Sequence, residues 1–312
     1  VAKSKSNSAI PELIKSILLS LGLLGGILLH AQIDSTLIVT DSLSVVEPAV
    51  QDSLSSDSLI TAMADSLSEL VVPDSTMSDS AQTEILSFRT VHNSAFAVGE
   101  YLEFDIAYGV IKAGTATMAV LDTLTWEHRP VYLIRTTASS NSFFSSLYKV
   151  RDRVESLMDV DGLFSWKFEK HLREGRYKAD RYEAFDQINQ RVIYQQKDTI
   201  SAPLYVQDIL ASFYFVRTQP LEIGKSIDID NFADGKVYPL RVLVHRKEQI
   251  KVPAGKFDCI VVEPVLREEG LFKQTGKLTI WLTDDDRRMP VLMKSKILVG
   301  SIDVRLKSYE LP

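Results

Sequence analysis

From Phe96 onward, apolar and polar residues exchange places at every second position. Leu102, Phe104, Ile106 and Tyr108 alternate with Tyr101, Glu103, Asp105 and Ala107, the period of a strand with one buried face. A second strand is predicted over 115–121, after Gly114, with Ala116, Met118 and Val120 on one face. The rhythm returns near the C-terminus. Leu278, Ile280 and Leu282 alternate with Lys277, Thr279, Trp281 and Thr283; Asp284 to Arg288 make a polar turn and Pro290 opens the next strand; and Ile302, Val304 and Leu306 alternate with Ser301, Asp303, Arg305 and Lys307. Further strands are predicted near 131–138, 148–158, 163–172, 176–185, 191–196, 238–251 and 257–267. Gly162, Gly175, Gly235, Pro253-Ala254-Gly255, Gly270, Gly276 and Gly300 punctuate these runs. Short strands separated by turn signals predict a mainly β fold: a single antiparallel curved sheet, a partly open barrel or a sandwich.

One segment breaks the alternation. Val206, Ile209, Leu210, Phe213 and Val216, flanked by Pro203 and Pro220, follow the three-four rhythm of a helix face. The spacing predicts one substantial helix over 205–217, packed across a sheet or plugging the mouth of a curved one. The β-rich domain spans 93–312, and a unit of that size buries roughly 70% of its unfolded-chain surface without a disulfide or metal.

The chain upstream is different. Lys3, Lys5 and Lys15 precede an apolar run from Ile17 to Leu29, and Ala31 offers a cleavage point. This is the pattern of a secretory signal peptide over 1–31, and the run is short for the ~20 residues of a membrane span. A retained anchor is the rival reading. Residues 32–92 repeat Asp-Ser-Leu and Asp-Ser-Thr irregularly and hold ten acidic residues against the single base Arg89. With no aromatic before Phe88, this segment is predicted to be a disordered acidic linker. The overall net charge of −6 thus resides in the linker, and the folded part is close to neutral. That argues against nucleic acid as a partner. The lone cysteine, Cys259, precludes an internal disulfide and lies far from Ala31, where a lipoprotein would need one. The expected product is periplasmic or otherwise exported, with no stable membrane insertion after cleavage.

Four ordered motifs resemble the domain-of-unknown-function 3108 family. They are Phe96-Ala97-Val98-Gly99-Glu100-Tyr101-Leu102 followed by Ala113-Gly114; Asp208-Ile209-Leu210-Ala211-Ser212-Phe213-Tyr214-Phe215-Val216-Arg217; Val252-Pro253-Ala254-Gly255-Lys256-Phe257-Asp258-Cys259; and Trp281-Leu282-Thr283-Asp284-Asp285-Asp286-Arg287-Arg288-Met289-Pro290-Val291. The resemblance covers nearly all of 96–309. It implies a β-rich protein exported in Gram-negative bacteria, and it carries no catalytic residues. Gly99, Glu100, Gly114, Asp208, Gly255, Trp281, Asp285, Arg288 and Pro290 are expected to serve the fold.

Candidate chemistry is sparse. His30, His92, His128, His171 and His245 show no ligand spacing, and no HExxH, phosphate loop or GxSxG elbow is present. No cofactor is expected. Asp284-Asp285-Asp286 lacks the spaced carboxylates of a calcium loop and reads as a turn whose aspartate accepts backbone N–H bonds. The most basic stretch, with Lys167, Lys170, Arg173, Arg176, Lys178 and Arg181 interleaved by Trp166, Phe168 and Tyr177, is a candidate surface for a lipid, an acidic polysaccharide or a partner. Its default role is a solvated sheet face. Phe143 and Phe144 are placed in a loop or short helix, with burial favoured over contact with lipid or partner.

An exported β domain without a visible reactive cluster is expected to work through a shaped surface. The first expectation is a non-enzymatic envelope protein binding an apolar or amphipathic ligand, such as a lipid, or an envelope protein. A hydrolase of envelope polymers would instead need two converging carboxyl groups, one with a raised pKa. An assembly protein would pair through its sheet edges.

Overall fold

The computed structural model describes residues 88–266, 278–296 and 300–312. The expected signal peptide, all of the expected linker before 88, and the turn signals at Gly270 and Gly276 lie outside them. Fourteen strands follow in order: β1 (Tyr101–Tyr108), β2 (Ile111–Trp126), β3 (Arg129–Ser140), β4 (Arg151–Asp159), β5 (Ser165–Glu174), β6 (Tyr177–Asp186), β7 (Arg191–Tyr194), β8 (Asp198–Ser201), β9 (Ser226–Ala233), β10 (Lys236–Val252), β11 (Gly255–Leu266), β12 (Leu278–Thr283), β13 (Pro290–Lys296) and β14 (Ser301–Glu310). Two helices interrupt them, α1 (Ser142–Leu147) and α2 (Ile209–Thr218). No helix among the described residues is long and apolar enough to cross a membrane.

All strands form one antiparallel sheet in the order β8-β7-β6-β5-β4-β3-β2-β1-β14-β13-β12-β11-β10-β9. Each half is a meander, and the two halves join where β1 pairs with β14. The expected mainly β architecture, a single curved antiparallel sheet left open, is the observed one. Backbone pairing does not close the ring, yet the two ends of the sheet touch. Phe185 of β6 and Tyr194 of β7 meet Phe232 of β9 with ring centroids 6.0 and 6.3 Å apart. Register shifts between Glu103/Phe104, Val120/Asp122, Leu157/Met158 and Val244/Arg246 bend the long strands enough for this curl. Gly114 is required where β2 crosses β3: a Cβ there would lie 2.2 Å from the carbonyl oxygen of Ser139.

The inward residues of nearly every strand, joined by Leu210, Ala211 and Tyr214 of α2, form one continuous core. Cys259 is buried in it, and burial pushes its thiol up to about 12, so it is inert at neutral pH.

The helix begins later than its periodicity predicts. Val206 is buried, but it belongs to an extended lead-in, where Tyr205 holds φ +68° and the backbone of Gln207 bridges to Asn231 of β9. Asp208 is the N-cap. Burial of Val206 by the lead-in, not by the helix, accounts for the discrepancy.

Candidate functional site

Helix α2 is fixed at both ends. At its start, the Asp208 carboxylate accepts hydrogen bonds from the N–H groups of Leu210 and Ala211, both at 2.8 Å. It also accepts from the hydroxyls of Ser156 on β4 and Ser165 on β5, at 2.7 and 2.6 Å. Burial pushes the Asp208 carboxyl up, and these four donors oppose that push. Replacing Asp208 by alanine removes the cap and takes away the acceptor of two buried hydroxyls, those of Ser156 and Ser165. A loss of about 3 kcal/mol is expected in urea unfolding, with Asp208→Asn losing less than half as much.

At the other end, Arg217 and Glu100 form a bidentate ion pair at 2.7 and 2.6 Å, both side chains fully buried. Arg217 also donates to the carbonyls of Ala95 and Arg287, and its guanidinium lies 5.4 and 4.9 Å from the ring centres of Phe96 and Tyr214. Arg288, at φ +43°, donates to the carbonyl of Gln219 just past the helix. The turn that carries Arg287 and Arg288 is built on Asp285, whose Oδ1 accepts from both their N–H groups and from the Thr283 hydroxyl. Trp281 donates to Glu248, Pro290 opens β13 opposite Leu282, and Gly255 opens β11 at φ +142°. Gly99, at φ +98°, precedes Glu100. Glu100, Asp208, Asp285 and Arg288 therefore hold α2 across one end of the curled sheet, whereas Gly114, Gly255 and Trp281 serve strand pairing and turns elsewhere.

Held there, α2 leaves a gap beneath it. Ile209, Phe213 and Val216 of the helix face Leu240 and Val242 of β10, Val262 of β11, Ile280 of β12 and Met293 of β13, with Met118 of β2 at the side. The cavity is about 70 Å³, and Ser212 is the one polar residue among the fourteen that line it. The Ser212 Oγ accepts a hydrogen bond from Asn231 Nδ2 at 2.9 Å. A buried water needs two to four polar partners, and a lining with a single hydroxyl side chain therefore favours apolar matter over water. Leu240, Pro264 and Leu278, also in the lining, stand near the strand ends opposite α2.

A second constellation occupies the inner face of β4–β6. Asp152, Lys170, Glu174 and Glu183 are buried. Lys170 Nζ lies 3.3 Å from Asp234 in the β9–β10 turn. Asp152 Oδ1 accepts from the N–H of Arg173 at 2.8 Å, and its carboxyl meets that of Glu174. Burial and the Asp152 charge push Glu174 up to about 8, so at neutral pH one proton is shared between them. Burial also pushes Asp152 and Glu183 up. No group of three or more His, Cys, Asp or Glu that could hold a metal occurs among the described residues.

The basic stretch read as one surface is split by the sheet. Lys170 and Phe168 point inward and are buried, whereas Arg173 points outward to Asp180. The register shift at Leu157/Met158 sends Trp166 to a separate outer cluster with Val131 and Phe164, packed by Phe88 and Tyr205. Arg176 and Tyr177 are exposed at the β5–β6 turn. Phe144 is buried, and Phe143 is exposed, against the expectation of burial for both. Adjacent residues on a one-turn helix cannot share a face. The pocket lining and the Asp152–Glu174 pair were not singled out in the sequence. The alternation of each strand signalled their burial, but which buried positions face a gap or each other depends on the curl.

The family model described as Protein of unknown function (DUF3108) matches residues 103–307. No curated protein matches the chain. Among solved structures, the chain is similar to a β-barrel-like protein of domain of unknown function DUF1849 from Brucella abortus, with 10% identity over 70% of this chain and 99% of that one, and a TM-score of 0.48. It is also similar to a protein described as exported, with a YmcC-like fold, from Bacteroides fragilis, with 12% identity over 71% and 99% of the two chains and a TM-score of 0.33. A protein described as a lipoprotein from Parabacteroides distasonis aligns with 10% identity over 72% and 100%, with a TM-score of 0.32.

Proposed function

The chain belongs to the DUF3108 family, and from that premise we propose that it is an exported, non-enzymatic envelope protein whose pocket under α2 binds the apolar end of an amphipathic molecule, such as an acyl chain. The observation that carries this reading is a cavity walled by apolar side chains, with Ser212 as its one polar residue. The basic start and apolar run of residues 3–29 support the exported location. Size limits what enters. The 70 Å³ present is below the roughly 150 Å³ that holds benzene in an engineered protein cavity, and far below the ~300 Å³ at which drug-sized pockets begin. With α2 clamped at both ends, the flexible thioethers of Met118 and Met293 are the parts that yield. The ligand is therefore a chain end inserted under the helix, with its polar remainder toward Leu240, Pro264 and Leu278.

Native mass spectrometry after gentle purification is expected to find a co-purified acyl compound. Titration with a fluorescent polyene fatty acid is expected to show at least tenfold weaker binding for Val242→Phe, which fills the cavity, and tighter binding for Met293→Ala, which enlarges it. Unchanged affinity in both variants, with nothing co-purified, would sink the pocket reading.

A hydrolase is the second reading, favoured by one observation: a carboxyl group held protonated near neutrality beside a second carboxyl, as acid catalysis of glycoside cleavage requires. Both groups are only 6% exposed, so substrate would reach them only after the rim opens. Release of reducing ends from cell-wall polysaccharide, abolished by Asp152→Asn and by Glu174→Gln, is the expected signature. No release by the unaltered protein between pH 4 and 8 eliminates this reading.

A further inference from the structure

The end of the sheet opposite α2 carries large apolar residues in the open. Val110, in the β1–β2 turn, is 98% exposed; Ile111 is 54%, Phe143 67% and Leu147 60% exposed. Phe143 and Leu147 share one face of α1, four residues apart, while Phe144 anchors the opposite face in the sheet. The display is rigid. Asn141 caps α1 by accepting from the N–H of Phe144 at 2.9 Å, and its Nδ2 donates to the carbonyl of Lys112 at 2.7 Å, which ties the helix to the β1–β2 hairpin. Ser140 and Ser145 hydroxyls bond at 2.7 Å.

Cations border this tip. Lys149, Arg151, Arg176 and Lys178 are exposed at the same end, and among the described residues none has an ion-pair partner. Gly175 N–H donates to the Lys149 carbonyl at 2.8 Å, so the two cationic turns are contiguous. Among the described residues, the acids close by do not cancel them. Asp105 is paired with Lys112, Asp180 with His171 and Arg173, and Asp152 and Glu174 lie buried beneath.

We propose that this end of the domain docks on an anionic phospholipid bilayer, with Val110, Ile111, Phe143 and Leu147 inserted among the lipids and the four cations against the head groups. An apolar tip beside unpaired positive charge is the arrangement of an interfacial anchor. A protein partner is less well matched, because a stable protein interface needs a broad complementary face and these residues are narrow projections. The position also has a use. Tyr108, Ile302, Ser295 and Leu278 form one row of paired residues across β1, β14, β13 and β12. The docking tip and the Leu278 wall of the pocket therefore stand at the same end of the sheet. The inference does not depend on the pocket reading, since it rests on exposed residues alone.

The test uses the full chain with Ser146→Cys labelled by an environment-sensitive dye; Cys259 is buried and does not compete. Vesicles of phosphatidylethanolamine and phosphatidylglycerol at 3:1 are expected to shift the dye emission to the blue. The effect should weaken steeply with salt and be far smaller on phosphatidylcholine vesicles. Lys149→Gln with Arg176→Gln should weaken docking about 25-fold, at about fivefold per cation, and Phe143→Ser with Leu147→Ser should abolish the shift. Val242→Phe, which fills the pocket, should leave docking intact. The proposal is overturned by vesicle binding without a dye shift, by no binding, by equal response on phosphatidylcholine, or by a shift that depends on protein concentration without vesicles, which would indicate a second copy.

Discussion

Arg217→Ala is expected to destabilise the protein by about 3–5 kcal/mol, a large part of the ~5–15 kcal/mol that holds a domain folded. The variant leaves the Glu100 carboxylate fully buried without its partner and leaves the carbonyls of Ala95 and Arg287 short of a donor. It also unfastens the C-terminal end of α2, which closes one end of the curled sheet. For a domain of this size the melting temperature should fall by about 10 °C or more. Glu100→Ala should cost a similar amount, because it strands the opposite charge. The double variant Glu100→Gln with Arg217→Met should cost less than the sum of the single alanine variants, since it removes both charges together. Single variants melting within a degree or two of the parent would show that the pair contributes no stability.

Stability is expected to fall as pH rises from 4.5 to about 8. Glu174 has its ordinary value of 4.5 in the unfolded chain and is pushed up to about 8 in the fold by burial and by Asp152. The folded state therefore holds its proton through a range in which the unfolded chain has released it. The stability tied to that proton is complete below 4.5 and lost by the time pH passes 8. Allowing for solvent screening near the rim, the loss is about 2 kcal/mol. Asp152 and Glu183 are pushed in the same direction and add to the slope. Glu174→Gln removes the ionisation while keeping the shape. Its melting temperature should exceed the parent's by several degrees at pH 8.5 and match it near pH 4. Acid loss has another origin: burial pushes Asp159 up, but the hydrogen bonds from Arg129, Trp166 and the Gly162 N–H, with the Arg129 charge, outweigh it and hold Asp159 below its usual range, so that contribution disappears as pH drops through its lowered value. A melting temperature flat between pH 5 and 8.5 in the parent would refute the shared proton.

The strands that alternate cleanly were legible in the sequence. Leu102, Phe104 and Ile106, and likewise Ile302, Val304 and Leu306, are buried as their period requires, because alternation is a property of the local backbone. Two strands escaped. In β8 most side chains are exposed, so no apolar face marks it. In β9, Ile227 and Ile229 alternate with Asp228 and Asp230, but the pattern breaks at Asn231, a buried amide that bonds Gln207 and Ser212. Trp166 misled for a related reason. Trp166 is itself the extra residue of a bulge in β5, between Ser165 and Lys167, which moves it to the opposite face from Phe168, and nothing in the local sequence announces that bulge.

A β-rich domain with one principal helix and a near-neutral charge is legible in the chain alone, as are the motifs that contain Glu100, Asp208 and Arg217. These follow from periods of two and of three to four residues, which short stretches carry alone. What those residues meet is set by the curl of the folded sheet. Glu100 and Arg217 lie 117 positions apart and join because the sheet curls around the helix. The pocket exists because α2, clamped at both ends, does not fill the space above β10–β13. The exposed tip exists because α1 buries Phe144 and must turn Phe143 outward. Contacts of this kind depend on how distant segments curve toward each other, and local periodicity carries no record of that curvature.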